Sequence, residues 1–161
     1  MLATEAEAYW QVVEQLLSGY IREKATGGPV GTDVQAALTV IGSRPKRRRP
    51  VNLQDAHLCS ADLSDANLEL ALLDRADLTK ADLTDARLNN ASLTAAKLSE
   101  ATLTKSDLTG TSLDQANLTK TDFYQATIAN TGITGADLTD AKNVSSQQRA
   151  RFTGTPAPPL P

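Results

Sequence analysis

Two residues whose types can act on a covalent bond stand close together: His57 and Cys59 flank Leu58 in the stretch "HLC". A cysteine beside a histidine is the nucleophile and base of thiol chemistry. That chemistry also needs a third group to orient the base, and a pocket to hold the substrate. The residues nearby supply neither, and a pair flanking one inward position points outward on one face. His57 and Cys59 are therefore expected to be ordinary surface residues. The chain has no phosphate-binding loop, no G-x-S-x-G, no paired Cys/His metal spacing and no G-G-x-G-x-D run. No enzyme activity, cofactor, metal or small-molecule substrate is expected.

Charge is the other chemical resource. The chain has 19 acidic and 16 basic residues and a net charge of −3. Acidic against basic residues number 5 to 7 over residues 1–50, 14 to 6 over 51–140 and 0 to 3 over 141–161. The middle is acidic between two basic ends. The run "RPKRRRP" at 44–50 can contact nucleic acid or anionic lipid. No aromatics interleave with it, so base stacking is not indicated. It is read as a solvated linker, and no direct nucleic-acid contact is expected.

The elements that carry these residues follow from one periodicity. In "ADLTKADLTDARLNNASLTAAKL", Ala76 to Leu98, leucine recurs every fifth residue. The register extends over eighteen units from Val51 to Asp140, centred on Leu in fifteen and on Phe123, Ile128 and Ile133 in the others. Two residues before each centre stands Ala in thirteen units, with Val51, Ser106, Thr111, Thr121 and Thr131 as the exceptions. A helix turns about 100° per residue, so leucines five apart would scatter around its surface. A strand alternates its side chains, so they would fall on opposite faces. A chain that turns by a fixed amount every five residues satisfies the pattern, as in a solenoid. The spacing leaves open how many units complete a coil. Hydrophobic residues are 40% of the chain and aromatics 4%, so its core is aliphatic.

Units such as "ADLTK", "ADLTD", "ANLTK" and "ADLSD" resemble the A-[DN]-L-x-x consensus of pentapeptide-repeat proteins. The resemblance implies an all-β solenoid: a right-handed quadrilateral β-helix with four units per coil. Ninety residues then give about 4.5 coils, a rod about 22 Å long at the usual strand spacing. Position 121 and its neighbours widen the small corner near Phe123, Ile128 and Ile133, which predicts altered core packing in the last coils. The stretch from Tyr20 to Arg44 also resembles the segment ahead of the repeats in some bacterial members, notably cyanobacterial and actinobacterial ones.

Four parts are expected: a two-helix N-terminal cap at 1–43, the basic linker at 44–50, the repeats at 51–140, and a terminal turn with a proline-rich tail at 141–161. Residues 4–25 read as an amphipathic helix opened by a Thr4–Glu7 capping box, and Thr32 with Gln35 predicts a second box. The stripe of Trp10, Val13, Leu17, Ile21, Leu38 and Ile41 needs a surface to cover. The end of the coil is one candidate, and a second copy of the chain is the other, so monomer and homodimer both stay open. Lys142-Asn143 breaks the register, and Phe152 is placed over the last coil. No run approaches the roughly 20 apolar residues of a membrane span. The first fifteen residues carry Glu5, Glu7 and Glu14 and no basic residue, unlike a secretion leader. Cys59 is the lone cysteine, so a cytoplasmic address is expected.

Function must then lie in the outward residues. Taking every fourth unit as one face, the face centred on Leu63, Leu83, Leu103 and Phe123 carries Asp62, Asp65, Asp82, Asp85 and Asp122 against Lys105. Leu70 and Leu72 project outward around a corner, and two readings stay open for them: an apolar contact patch, or a seat for the folded-back N-terminal helices. The expected role is a structural module that binds an unidentified protein through its outer faces. The alternative implied by the resemblance is mimicry of DNA at an enzyme such as gyrase, through the acidic face.

Overall fold

The computed structural model of the chain describes residues 2–44 and 50–145, with side chains of the first helix from residue 8 onward. Two helices, α1 (Leu2–Lys24) and α2 (Thr32–Gly42), precede the repeats. From Asn52 onward the chain pairs with itself twenty residues later. Fifteen parallel bridges run from Asn52↔Leu72 to Asp122↔Lys142, four per twenty-residue turn. Each is a single-residue bridge, because the chain bends again before a longer strand can form. Pairing continues past the expected boundary at 140 to Lys142.

The bend explains the five-residue period. The N–H of each unit's first residue donates to the carbonyl of the preceding centre, as in Ala56 N to Leu53 O at 3.2 Å, and this turn closes in all but the unit centred on Ile128. All eighteen units hold their fifth residue at positive φ, between 54° and 72°. Only Gly110 and Gly135 take that left-handed conformation without a Cβ penalty. Of the other sixteen, thirteen are held there by the turn and by a bond to the next coil, such as Asp55 N to Asp74 O at 3.0 Å, while Gln125, Asn130 and Asp140 lie in the last turn, where no described coil follows.

The second residue of the unit stabilises the same bend. Asp82 Oδ1 accepts from Thr84 N at 2.9 Å, and Asp62, Asp77, Asp107, Asn117, Asp122 and Asp137 repeat the contact. A threonine in fourth place adds its hydroxyl, at 2.6 Å from Asp77, Asp107, Asn117 and Asp137. The recurrent Asp-Leu-Thr is thus a turn device. Inside, Leu53 through Leu118 and Phe123 are buried in one continuous core, and so is the residue two places before each, alanine in most units and Val51, Ser106, Thr111 and Thr121 in the others.

The larger corner residues near the C-terminus are accommodated by hydrogen bonding. Thr111, Thr121 and Thr131 donate their hydroxyls to Leu88 O, Leu98 O and Leu108 O, each at 2.7 Å. Those carbonyls already accept a turn N–H, so each threonine uses the second lone pair. A buried hydroxyl without such a partner would be costly.

The helices sit against the first coil. Asp62 N donates to Gln35 Oε1 at 3.0 Å, and Gln35 Nε2 donates to Asp62 O at 2.7 Å. The side-chain amide pairs with the coil's backbone as a neighbouring coil would. The expected Thr32–Gln35 capping box is therefore absent: Gly31 is the N-cap, without a side-chain cap bond. The Thr4–Glu7 box does not open α1 either, since that helix starts at Leu2. Asn67 N donates to Gly42 O at 2.8 Å, and Val30 N to Cys59 O at 3.0 Å.

Arg44 completes the contact. Its guanidinium donates through Nε to Asn67 O at 2.8 Å and through Nη2 to Glu69 O, and its own carbonyl accepts from Asn67 Nδ2 at 3.0 Å. It lies 4.0 Å from the buried Glu14 of α1, with only 1% of its side chain exposed. Burial pulls the Arg44 pKa down, and Glu14 and Glu69 oppose the fall. The basic run is thus split by the fold: Arg44 is buried in the helix–coil contact, while residues 45–49 lie outside the described residues.

Candidate interaction surface

The twenty-residue repeat stacks the expected acidic face as a column. Asp62 bridges Asp82, Asp82 bridges Thr102, Thr102 bridges Asp122, and Asp122 bridges Lys142. Asp62, Asp65, Asp82 and Asp85 are exposed, and Asp122 is half-buried. Their positions differ in kind. Asp62, Asp82 and Asp122 occupy the second place in their units and accept turn N–H groups. The donated bonds from Ser64, by side chain and backbone, hold the Asp62 carboxyl below its usual range. Asp65 and Asp85 stand at the left-handed fifth place, where the side chain leaves the turn. Neither makes a side-chain hydrogen bond or ion pair among the described residues.

On the other faces of the repeats most described carboxylates are engaged, Glu69 and Asp140 excepted. Arg75 forks onto Asp55, with both bonds at 2.7 Å. Lys97 lies 3.4 Å from Asp77, and Lys80 3.9 Å from Glu100. Asp74 accepts from Gln54 at 2.8 Å, from Thr94 N at 3.1 Å and from Ser92 Oγ. Partial burial pushes its carboxyl up, but these donors outweigh that and leave it below the usual range. The same balance, with Thr79 and Thr109 as the main donors, holds Asp77 and Asp107 down.

The other expected sites divide. Leu70 is exposed, whereas Leu72 is half-buried in a groove that α1 lines with Gln11, Gln15 and Arg22. Of the expected stripe, Ile21, Leu38 and Ile41 enter the core, Leu17 packs against it, and Trp10 and Val13 stay half-exposed. His57 is exposed and Cys59 half-buried. Burial pushes the Cys59 thiol up, and hydrogen bonding with Asp77 adds to it. A thiol so placed is a poor nucleophile. Phe152 lies outside the described residues. No described helix is long and apolar enough to cross a membrane, and the described residues hold no cluster of three metal-ligating side chains.

The role of Arg44 and Gln35 was not legible in their local sequence. Arg44 merged with the basic run, and Gln35 fitted a capping pattern. The one available signal was the repeat's start at Val51, which leaves an unpaired edge that something upstream must meet.

The family model described as pentapeptide repeats (8 copies) matches residues 52–90, 86–123 and 106–142. Together the matches run from 52 to 142, more than half of the chain. Among solved structures, the chain is similar to a pentapeptide repeat protein from the cyanobacterium Cyanothece 51142, at 29% identity and TM-score 0.56, over 60% of this chain and 67% of that one. A pentapeptide repeat protein from Nostoc Pcc 7120 is 31% identical with TM-score 0.46, over 47% of this chain and 62% of that one. One from the thylakoid lumen of Arabidopsis thaliana is 25% identical with TM-score 0.37, over 81% and 84%. A comparison with curated proteins returned no match.

Proposed function

The chain belongs to the pentapeptide-repeat family, and from that premise we propose a non-enzymatic interaction module, a right-handed four-sided β-helix of about 4.5 coils, capped at one end by its helices. Its acidic face docks a basic surface on a protein partner in the cytoplasm. The observation that carries this reading is the contrast among the faces. Asp65 and Asp85 stand exposed and unpaired one coil apart, beside Asp62 and Asp82, while Asp55, Asp74, Asp77 and Asp107 are bound within the protein. Like charges stacked at this spacing repel by roughly 1 kcal/mol or less per pair in water. Lysine or arginine side chains on a partner relieve that repulsion and steer the encounter.

The apolar pair plays a smaller part: Leu70 lies at the rim of any surface that includes the next face. DNA mimicry at gyrase would need negative charge along the whole rod. Here Lys105 and Lys142 interrupt the same face, which favours a protein partner.

The test is the combined change of Asp62, Asp65, Asp82 and Asp85 to Asn. Asparagine keeps the Oδ1 acceptor that closes the turn at 62 and 82, so the coil stays folded. A partner captured by cross-linking and identified by mass spectrometry should bind the variant at least about tenfold more weakly, with the wild-type affinity falling steeply in salt. Unaltered binding removes the acidic face from the reading. A salt-sensitive change in gyrase supercoiling by the purified protein would instead favour the DNA mimic.

A further inference from the structure

Helix α1 carries two apolar stripes, and the coil uses one. Ile21 and Leu17 face the core together with the buried Glu14 and Ser18. On the opposite side Tyr9 is 71% exposed, Val12 54% and Leu16 68%. Three of the six large exposed hydrophobics among the described residues thus lie on one face of one helix. Tyr9 and Leu16 are seven residues apart, as are Val12 and Gly19, which is the spacing of a seam made for another helix. A surface helix of a monomer needs only one such stripe.

Gly19 supplies a second, independent observation. It sits inside α1, where glycine is about the poorest helix former after proline. No close packing explains it: a Cβ added there would meet nothing within 4 Å. The glycine lies on the exposed seam and leaves a notch in it.

We propose that the outer stripe of α1 pairs with α1 of a second copy, antiparallel, about a two-fold axis crossing the helix at position 14. That axis sets Tyr9 against Gly19 of the second copy and Val12 against its Leu16. The large ring fills the notch, and the two branched side chains meet at the centre. A two-fold contact must be self-complementary in this way, since each pair occurs twice. The flanking positions bring Val13 to Val13 and Gln15 to Gln15, so no charge is trapped between Tyr9 and Gly19. The seam is about 15 Å long at 1.5 Å per residue. So short a contact places the dimer at the weak end of specific interfaces. The pairing is independent of the acidic face, which lies on the coil.

Sedimentation equilibrium of the full chain tests it over a micromolar concentration series. The expected mass rises from 17.1 kDa towards twice that value. Leu16→Glu, at an exposed position, should keep the circular dichroism of the wild type and remain monomeric throughout. Gly19→Gln fills the notch with a better helix former. It should raise the melting temperature of the monomer while weakening association at least tenfold. A wild-type chain that stays monomeric, as it would if residues 146–161 cover the stripe, overturns the proposal. So does a dimer that survives either substitution.

Discussion

In the coil, Asp82 N donates to Ala61 O at 2.9 Å, and Thr102 N repeats the bond to Ala81 O twenty residues on. At the first coil no earlier carbonyl exists, and Asp62 N takes the side chain of Gln35 instead. The same donor is satisfied by a repeated rule in one place and by a single residue in the other. The coil spreads its stability over many equivalent contacts. The helical segment concentrates it in Gln35, Gly42 and Arg44, none of which has a counterpart elsewhere.

The contrast orders the effects of substitution. Arg44→Ala should be the most damaging, because it strips the buried Glu14 of a cationic neighbour and removes donors from Asn67 O and Glu69 O. Breaking one side of a buried charge pair costs about 3–5 kcal/mol, read as a lower urea midpoint. A midpoint within error of wild type would mean that the helix–coil contact contributes little.

Gly42→Ala comes next. The new Cβ would lie 2.9 Å from Ala66 Cβ and 3.3 Å from Ala66 Cα, both parts of a rigid coil. Overpacking of this kind costs about 1–3 kcal/mol. Faster amide exchange should follow at Asn67, whose N–H bonds to Gly42 O.

Within the coil, Thr121→Val keeps the shape and deletes the hydroxyl bond to Leu98 O. That carbonyl retains the N–H of Ala101, so the loss should stay near 0.5–1.5 kcal/mol by thermal melting. A loss as large as that of Arg44→Ala would erase the distinction between the two regions.

The smallest effect per residue concerns protons. Asp74, Asp77 and Asp107 have folded pKa values below the ordinary carboxylate range. Unfolded aspartate titrates near 3.9. Their contribution is therefore complete above about pH 5 and is lost as the pH falls through the folded values. Denaturation midpoints should be flat from pH 7 to about 5 and decline below about 4, and Ser92→Ala should make the decline slightly shallower.

The comparison also marks where sequence is legible. The coil could be read because each unit repeats the same local decisions: a left-handed fifth residue, an Asx turn at the second, an inward leucine and alanine. Eighteen copies average out exceptions such as Thr121, whose hydroxyl bond depends on a carbonyl twenty-three residues earlier. The candidate acidic face followed as soon as twenty residues per coil was assumed. What the assignment to a face could not separate was Asp82, whose carboxylate closes a turn, from Asp85, whose carboxylate makes no contact among the described residues. Both are aspartates on one face, and their positions in the unit divide them.

The helical segment was legible only as two amphipathic helices. Its apolar spacing could not say that Leu16 and Tyr9 face solvent while Leu17 and Ile21 face the core, since both sets recur at helical intervals. By itself the sequence determined the five-residue bend and the aliphatic column, because those rest on contacts within a unit and its repeated neighbours. Only the tertiary structure decided that Arg44 is buried, that Gln35 pairs with a backbone rather than capping a helix, and that α1 keeps a second apolar face. Those outcomes depend on single long-range contacts at the end of the coil, where the periodic rule has no neighbouring coil to act on.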